Sequence, residues 1–265
     1  MADAVLLDIE DGIASIRVNR PDRLNVLSVE VSEGLRDAVE GAVSDASVRV
    51  IVLSGEGRSF MAGGDLRHMA GASDRGRAAR ELIDPIHAAL KRLSRADQIT
   101  IASVQGPVAG AGLSIAMGLD LAIAAESSVF HFAYSSVAAS PDCGGTWALP
   151  RLVGHRRALQ IALIDDGGIP ADRALELGLV SRVVADDSLT AETCRLAGRL
   201  RDGAPAAQAA TKRLYRQALE TPFAAQLDAE AEAFEACART EDFDRAVAAF
   251  FGGGRPSEKG GKTDV

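Results

Sequence analysis

The sequence has few cysteines and no cysteine or histidine spacing that is typical of a metal site. Its three cysteines, Cys143, Cys194 and Cys237, are far apart and form no C-x-x-C pair, and its four histidines form no H-E-x-x-H pattern. An odd number of isolated cysteines is typical of a reducing compartment. The sequence therefore contains no disulfide framework, and we expect no protein-bound metal.

Long apolar runs and an excess of positive charge are also missing. No apolar run approaches the ~20 residues that span a membrane, and the first residues, MADAVLLDIEDG, carry acids where a signal peptide carries lysines. The 29 lysines and arginines are outnumbered by 37 aspartates and glutamates, which gives a net charge of −8, and they form no basic stripe. We expect a cytoplasmic protein that binds neither a membrane nor nucleic acid.

The sequence does contain enough apolar residues for a large core. They make up 47% of the 265 residues, which excludes a largely disordered chain. Residues 4–18 predict a hairpin with its turn at Asp11-Gly12, because this pair separates two alternating apolar runs. Ser28 predicts the N-cap of a helix that extends to Ala46.

Strand and helix patterns alternate through the first part of the chain, and helices dominate after it. Residues 48–53 (VRVIVL) and 100–104 (TIASV) are mostly apolar, which is typical of strands that are buried on both faces. The alternation predicts an α/β core over residues 1–190 and a helical region over 191–251. The Gly- and Lys-rich residues 252–265 have the composition of a flexible tail.

Two loops rich in small residues are candidates for ligand binding. The loops, FMAGGDL at 60–66 and GPVAGAG at 106–112, each follow a predicted buried strand and lead into a predicted helix. Small residues at such a turn let a ligand approach the backbone, and two converging N–H groups there can form an oxyanion hole. The alternative is that the glycines only mark tight turns.

A third segment, SPDCGGTWALPR at 140–151, contains an aspartate between a proline and a Gly-Gly pair. Asp142 is a candidate acid/base, and the alternative is a turn or N-cap residue. We expect Trp147 to belong to the core. Nothing in the sequence pairs Cys143 with a base, so it is a weak candidate for a nucleophile.

The order of these motifs resembles the crotonase superfamily, the enoyl-CoA hydratase/isomerase family. The resemblance rests on Asn19-Arg20-Pro21 with Asn25-Val26-Leu27, and on IVLSGEGRSFMAGGDL, GPVAGAGLSIAMGLDLAIAAESSVF, SPDCGGTWALPRLVG and GLVSRVV. The motif SPDCGGTWALPRLVG is most similar to the isomerase branch that acts on 1,2-epoxyphenylacetyl-CoA. The resemblance implies a ClpP-like crotonase spiral of ββα repeats with a C-terminal helical trimerisation region. It also implies an acyl-CoA substrate, no permanently bound cofactor beyond the coenzyme A of that substrate, and a homotrimer or dimer of trimers.

The resemblance also assigns roles to individual residues. It implies that the N–H groups of Gly64 and Ala111 hold the thioester carbonyl of the substrate. The other residues that it places along the substrate or CoA path are Arg23, Leu24, Asn25, Ala62, Gly63, Asp65, Leu66, Gly110, Ser114, Tyr134 and His87.

The sequence departs from the hydratase pattern at two positions. Ser114 and Tyr134 stand where hydratases of the family have two glutamates. Neither side chain is a useful base near pH 7, so efficient hydration is not expected. One carboxylate, Asp142, is enough for an isomerisation, and the related isomerases have their catalytic aspartate at this position.

Three alternatives remain open at this point. The chain is a hydratase of low activity, or it is a non-catalytic acyl-CoA-binding subunit that lacks both glutamates. The third is an aryl-CoA dehalogenase, because His87 and Asp142 stand where that branch has its catalytic histidine and nucleophile. We also expect self-association, because the C-terminal helices carry more apolar residues than one thin helical layer buries. Those residues are Leu196, Leu200, Leu214, Leu219, Phe223, Leu227, Phe234 and Phe250.

Overall fold

The N-terminal strands pair as predicted. In the computed structural model of the chain, which describes residues 3–164 and 167–252, β1 (Val5–Glu10) and β2 (Ile13–Val18) form an antiparallel hairpin. Asp11 and Gly12 at its turn have φ values of 46° and 77°. Two consecutive positive φ values are what a two-residue type I′ turn requires, so the predicted turn is confirmed.

Strands and helices then alternate along the chain. The remaining strands are β3 (Val50–Gly55), β4 (Ile99–Val104), β5 (Pro107–Ala109), β6 (Leu121–Ala125), β7 (Val129–His131), β8 (Ile169–Pro170) and β9 (Arg182–Val184). The helices among them are α1 (Val29–Ser44), α2 (Leu66–Gly71), α3 (Arg75–Arg95), α4 (Ala111–Gly118), α5 (Gly145–Val153), α6 (His155–Leu163), α7 (Ala171–Glu176) and α8 (Leu189–Arg201). The predicted α/β class is confirmed.

The main sheet positions the two glycine-rich loops. Its strand order is β1-β2-β3-β4-β6-β9, and every pair after the hairpin is parallel. A second sheet of three short strands has the order β5-β7-β8. Because β3 and β4 are parallel neighbours, the segments that follow them emerge at the same edge of the sheet. These segments contain the two candidate loops.

Both faces of the main sheet are covered, which explains its uniformly apolar central strands. Val50 and Val52 pack in a cluster with Leu189 of α8, whereas Ile51 and Leu53 pack in the cluster on the opposite face. Successive side chains of a strand point to opposite faces. A strand between two covered faces therefore needs apolar residues at every position, as the sequence predicted.

Helix α1 begins where the sequence predicts. The hydroxyl of Ser28 accepts a hydrogen bond from the N–H of Val31 at 3.3 Å, and this N-cap satisfies one of the free donors of the first turn. The helix ends at Ser44, two residues before the predicted end at Ala46. Its buried face contains the expected positions Val31, Leu35, Ala38, Val39 and Ala42.

A hydroxyl from α1 repairs a break in the hydrogen bonding of α3. Pro85 lies inside α3 and has no N–H to donate. At the residue after Pro85, the hydroxyl of Ser32 bridges two backbone groups of α3. It accepts from the N–H of Ile86 at 3.0 Å and donates to the carbonyl of Leu82 at 2.5 Å. Ser32 is fully buried. This contact fixes α3 immediately before His87.

The chain divides into two compact units, residues 1–201 and 202–265. Helix α8 packs on the main sheet and belongs to the first unit; the division at residue 190 stays a prediction. The second unit contains α9 (Pro205–Ala218), α10 (Phe223–Ala238) and α11 (Glu241–Phe251). Within the part of the chain that the structure describes, no helix is both long and apolar enough to span a membrane. The predicted tail, 252–265, lies outside the described residues except for Gly252.

Large apolar side chains are exposed on the second unit. Tyr215, Phe223, Phe250 and Phe251 each expose about four fifths of their surface (79%, 79%, 81% and 81%). Leu219 and Phe234 expose 69% and 67%. An apolar surface of this kind is typical of a protein–protein contact.

Candidate active site

The two glycine-rich loops lie side by side in parallel. Met61 forms a parallel bridge with Val108, and the N–H of Ala109 donates to the carbonyl of Met61 at 3.1 Å. Further along, a Cβ on Gly110 would lie 3.7 Å from the Cα of Gly63, and Gly64 and Ala111 are the residues that directly follow these two. The two loops are therefore neighbours in the structure.

The N–H groups of Gly64 and Ala111 have no acceptor among the residues that the structure describes. On either side of the Gly64 N–H, Leu27 accepts from the N–H of Asp65 at 3.0 Å and donates to the carbonyl of Gly63 at 2.8 Å. Ala111 is the first residue of α4, where N–H groups have no partner within the helix. A Cβ on Gly64 would meet no atom within 4 Å, so the space beside Gly64 is open. Two free donors at neighbouring positions are what an oxyanion hole requires.

One glycine of the second loop, Gly112, lets the start of α4 lie close to the first loop. A Cβ on Gly112 would lie 2.2 Å from the carbonyl oxygen of Met61. No larger residue fits there without moving α4 away from the first loop. Glycine at this position therefore keeps the start of α4 next to the segment that contains Gly64.

Asn25 fixes residues 20–25 against the segment that leads into the first glycine-rich loop. Its side chain is fully buried; Oδ1 accepts from the N–H of Arg20 at 2.8 Å, and Nδ2 donates to the carbonyls of Ser59 and Glu56 at 2.6 and 2.9 Å. The N–H of Ala62 donates to the carbonyl of Leu24 at 3.1 Å. Asn25 therefore contributes to the site through the backbone that it fixes.

Two of the residues assigned to the CoA path, Arg23 and Asp65, line an open cleft. Arg23, Asp65 and His68 line it together with Arg20. The carboxylate of Asp65 caps α2 by accepting from the N–H groups of Arg67 and His68 at 3.0 and 3.3 Å. Leu66 is half exposed beside it. The cleft combines the exposed Arg23 and the partly buried Arg20, which pairs with Glu30 at 3.2 Å, with Asp65 of the first glycine-rich loop.

A chain of hydrogen bonds leads from α4 to Asp142. The hydroxyls of Ser114 and Tyr134 are 3.0 Å apart, and the Tyr134 hydroxyl donates to Oδ1 of Asp142 at 2.5 Å. Ser114 lies three residues after Ala111 on α4, which is less than one helical turn. The carboxylate is therefore connected to the helix whose first N–H is a candidate oxyanion donor.

Burial determines the protonation of the tyrosine. Burial, the negative charge of Asp142 and the hydrogen bond to Asp142 raise the pKa of Tyr134 well above its ordinary value. The hydroxyl thus stays protonated at physiological pH and acts as a donor to the carboxylate. Ser114 is fully buried beneath it. Asp142 is the one carboxylate in this chain of hydrogen bonds.

The structure also brings His87 to this site from a distant part of the sequence. The N–H of Cys143, next to Asp142, donates to Nε2 of His87 on α3 at 3.2 Å. The thiol of Cys143 is buried, and burial together with the charge of Asp142 raises its pKa above the ordinary value. A protonated, buried thiol is a poor nucleophile, in agreement with the interpretation from the sequence.

The expectation that Trp147 belongs to the core is wrong. Its side chain is 45% exposed, and the guanidinium of Arg151 lies 4.1 Å from its ring centroid. Ala148 and Leu149 instead form the buried face of α5. Trp147 points away from that face because it lies on the other side of the helix, and Arg151 covers its ring by a cation–π contact.

Comparisons with known proteins agree on one family. The model of the family described as enoyl-CoA hydratase/isomerase matches residues 8–259. The chain is 32% identical to the 1,2-epoxyphenylacetyl-CoA isomerase of Escherichia coli (strain K12), over 94% of this chain and 96% of that protein. It is 34% identical to 4-chlorobenzoyl coenzyme A dehalogenase-2 of an Arthrobacter species, over 72% of this chain and 69% of that protein.

Solved structures agree with these sequence comparisons. The crystal structure of an enoyl-CoA hydratase from Polaromonas sp. JS666 superposes with a TM-score of 0.88, with 30% identity over 96% of this chain and 98% of that chain. The crotonase fold inferred from the motifs is thereby confirmed. The three similar proteins carry three different activities in their names, so the reaction of this chain has to be argued from its own residues.

Proposed function

The chain belongs to the enoyl-CoA hydratase/isomerase family of acyl-CoA enzymes, and from this premise we propose that it isomerises an enoyl-CoA or a ring-acyl-CoA, with Asp142 as its single acid/base. The observation that carries the proposal is the hydrogen bond from Tyr134 to Asp142 at 2.5 Å. Among the described residues, Asp142 is the one carboxylate in a hydrogen-bond chain that runs through Ser114 and Tyr134, the two positions where hydratases of the family have glutamates.

The N–H groups of Gly64 and Ala111 are proposed to bind the thioester oxygen. As the substrate loses a proton, negative charge develops on that oxygen, and each fixed donor stabilises it by about 3 kcal/mol. Support comes from the close approach of the two loops at Met61–Val108 and Gly63–Gly110, and from the missing acceptors of both N–H groups among the described residues. No further cofactor takes part in this scheme, since coenzyme A arrives as part of the substrate.

Asp142 then moves one proton. Its carboxylate removes a proton from one carbon of the acyl group to give the enolate, and the resulting carboxylic acid returns a proton to another carbon. The double bond or ring bond shifts while no atom is gained or lost. The Tyr134 hydroxyl supports this cycle because it stays protonated and stabilises the ionised carboxylate. Neither the Ser114 nor the Tyr134 hydroxyl activates water, so hydration is slow in this proposal.

The CoA portion is proposed to lie along the cleft beside the first glycine-rich loop. Arg23 is exposed there and Arg20 lies nearby, and their cationic groups suit the phosphates of coenzyme A. Ala62, Gly63 and Leu66 offer backbone and apolar surface along the same segment. Gly110 lies beside Gly63 and has a φ of +49°, a backbone conformation that favours glycine.

Assembly is proposed to use the second unit. Its exposed aromatic side chains, Tyr215, Phe223, Phe250 and Phe251, form more apolar surface than a monomeric protein usually leaves in water. A homotrimer, or a dimer of two trimers, is the assembly that the family resemblance implies.

The proposal is tested by solvent deuterium exchange and double-bond migration on a panel of acyl-CoA thioesters. Wild-type protein should exchange α- or γ-protons of a suitable thioester, and Asp142→Asn should slow exchange by ~10²-fold or more. Acyl-CoA affinity should change only several-fold, since the oxyanion donors are backbone groups. Crotonyl-CoA hydration that survives Asp142→Asn would instead indicate a hydratase.

Two further outcomes select the remaining alternatives. Halide release from a 4-chlorobenzoyl thioester that depends on both Asp142 and His87 indicates a dehalogenase, an activity for which the Arthrobacter relative provides the precedent. Binding of every thioester without turnover indicates a non-catalytic acyl-CoA-binding subunit.

A further inference from the structure

The backbone immediately after Asp142 has an unfavourable conformation. Cys143 has a φ of +51°, in the left-handed region that residues with a Cβ rarely adopt. Gly144 follows with a φ of +81°, and the N–H of Gly145 donates to the carbonyl of Asp142 at 2.9 Å. This sharp turn directs the Asp142 side chain toward Tyr134. The left-handed conformation is unfavourable for a residue with a Cβ, so a contact that holds Cys143 stabilises the turn.

His87 provides that contact. Its Nε2 accepts a hydrogen bond from the N–H of Cys143 at 3.2 Å, across 56 residues of sequence. The side chain is half-buried on α3, and the hydroxyl of Ser32 fixes the preceding residue of that helix, Ile86, at 3.0 Å. The hydrogen bond therefore connects the turn to a helix that is itself braced.

We propose that His87 is a positioning residue, which fixes the direction of the Asp142 carboxylate by holding the left-handed backbone of Cys143. Because Nε2 is an acceptor in this contact, the ring is neutral and carries its proton on Nδ1. The nitrogen that faces the site is already occupied by a backbone N–H, so it does not serve as a base for water in this geometry. The inference rests on the proposed role of Asp142 as the acid/base.

The positioning role predicts a particular order among variants. His87→Leu removes the acceptor, and a misplaced carboxylate should lower kcat roughly 10- to 100-fold. KM for the acyl-CoA should change less than about threefold, because the proposed substrate-binding groups lie on other loops. His87→Gln keeps an acceptor and should restore kcat to within several-fold of wild type. His155→Gln, at an exposed position on α6, is the matched control and should have no effect.

A second variant tests the backbone part of the inference. Glycine adopts a φ of about +50° without a steric penalty, so Cys143→Gly should remove the strain that the hydrogen bond from the Cys143 N–H to His87 offsets. In the Cys143→Gly background, we expect His87→Leu to lower kcat less than about threefold. An equal loss in both backgrounds, or a loss in His87→Gln as large as in His87→Leu, overturns the proposal and indicates that His87 acts as a base.

A spectroscopic measurement is independent of turnover. In protein labelled with ¹⁵N-histidine, the resonances missing from His87→Gln should be those of a neutral ring protonated on Nδ1, and an Nε2-protonated ring contradicts the inference. Asp142→Asn separates the two proposals. Wild-type isomerisation in Asp142→Asn refutes the proposed function, whereas lost activity in Asp142→Asn with full activity in His87→Leu refutes only the role of His87.

Discussion

The hydroxyl of Tyr134 lies 2.5 Å from Oδ1 of Asp142 and donates a hydrogen bond to that carboxylate. Tyr134 is buried, so the contact is shielded from water, and the raised pKa of its hydroxyl keeps the donor protonated. Hydrogen bonds to charged groups contribute about 1.5–3 kcal/mol. The pair therefore links the fold of the loop after β7 to the chemistry of the site.

Replacement of the tyrosine tests this link. Tyr134→Phe keeps the ring and its edge contact with Phe132, whose centroid lies 5.2 Å away, but removes the donor. We expect the isomerisation rate to fall roughly 10- to 100-fold with little change in acyl-CoA affinity. Ser114→Ala removes a hydroxyl that contacts Tyr134, and its effect should be smaller. The check is the rate measured with a saturating thioester. A larger loss in Ser114→Ala than in Tyr134→Phe contradicts the proposed role of the Tyr134 hydrogen bond to Asp142.

The oxyanion assignment is tested at Gly64 with two substitutions. Gly64→Pro removes the N–H and should lower the rate by ~10²–10³-fold. Gly64→Ala keeps the N–H, and its Cβ would enter open space with no atom within 4 Å, so it should retain most activity. Thermal unfolding of both variants checks that the loop still folds. Equal losses in the proline and alanine variants mean that the N–H is not the active group.

Asn25 is expected to matter for stability. Its buried side chain makes three hydrogen bonds to backbone groups, and Asn25→Ala leaves those groups unsatisfied. We expect the free energy of unfolding to fall by about 2–4 kcal/mol in urea titrations. Asn19→Ala is the matched control, because among the described residues the Asn19 side chain donates one exposed hydrogen bond, to the carbonyl of Asp3 at 3.1 Å. A comparable loss in both variants contradicts this role of Asn25.

The cysteines are expected to differ in reactivity. Burial and the charge of Asp142 raise the pKa of Cys143, and a higher pKa leaves less thiolate at any given pH. Iodoacetamide at a pH of about 9 should therefore modify the exposed Cys194 and leave Cys143 intact in the native protein. Peptide mass spectrometry identifies the labelled residues, and denatured protein should react at both. Rapid labelling of native Cys143 contradicts the described burial.

Self-association is expected to depend on the exposed aromatic residues. Light scattering at micromolar concentration should give a mass of three or six chains. Phe250→Ser with Phe251→Ser removes two side chains that are each 81% exposed, and this change should shift the mass toward the monomer. Glu232→Ser changes an exposed polar position of the same unit and should leave the mass unchanged. A monomeric wild-type protein rules out the proposed assembly.

Local sequence by itself determined many of the elements. Asp11-Gly12 specifies its hairpin because the turn needs two residues that tolerate positive φ. Ser28 specifies the start of α1 because its hydroxyl satisfies an N–H three residues away. The two glycine-rich loops are recognisable for a similar reason, since close backbone approach demands small residues at defined positions.

Tertiary structure alone decided how the site is held together. Tyr134 and Asp142 are eight residues apart, but His87 reaches Cys143 across 56 residues, and Asn25 reaches Ser59 across 34. Such contacts depend on how the helices and loops pack around the sheet, and no local pattern encodes that packing. For the same reason, no local pattern indicates that Asn25 is buried and holds two loops together. The sequence therefore identifies Asp142 as a candidate, whereas packing of the helices and loops decides its hydrogen bond to Tyr134 and the contact between His87 and Cys143.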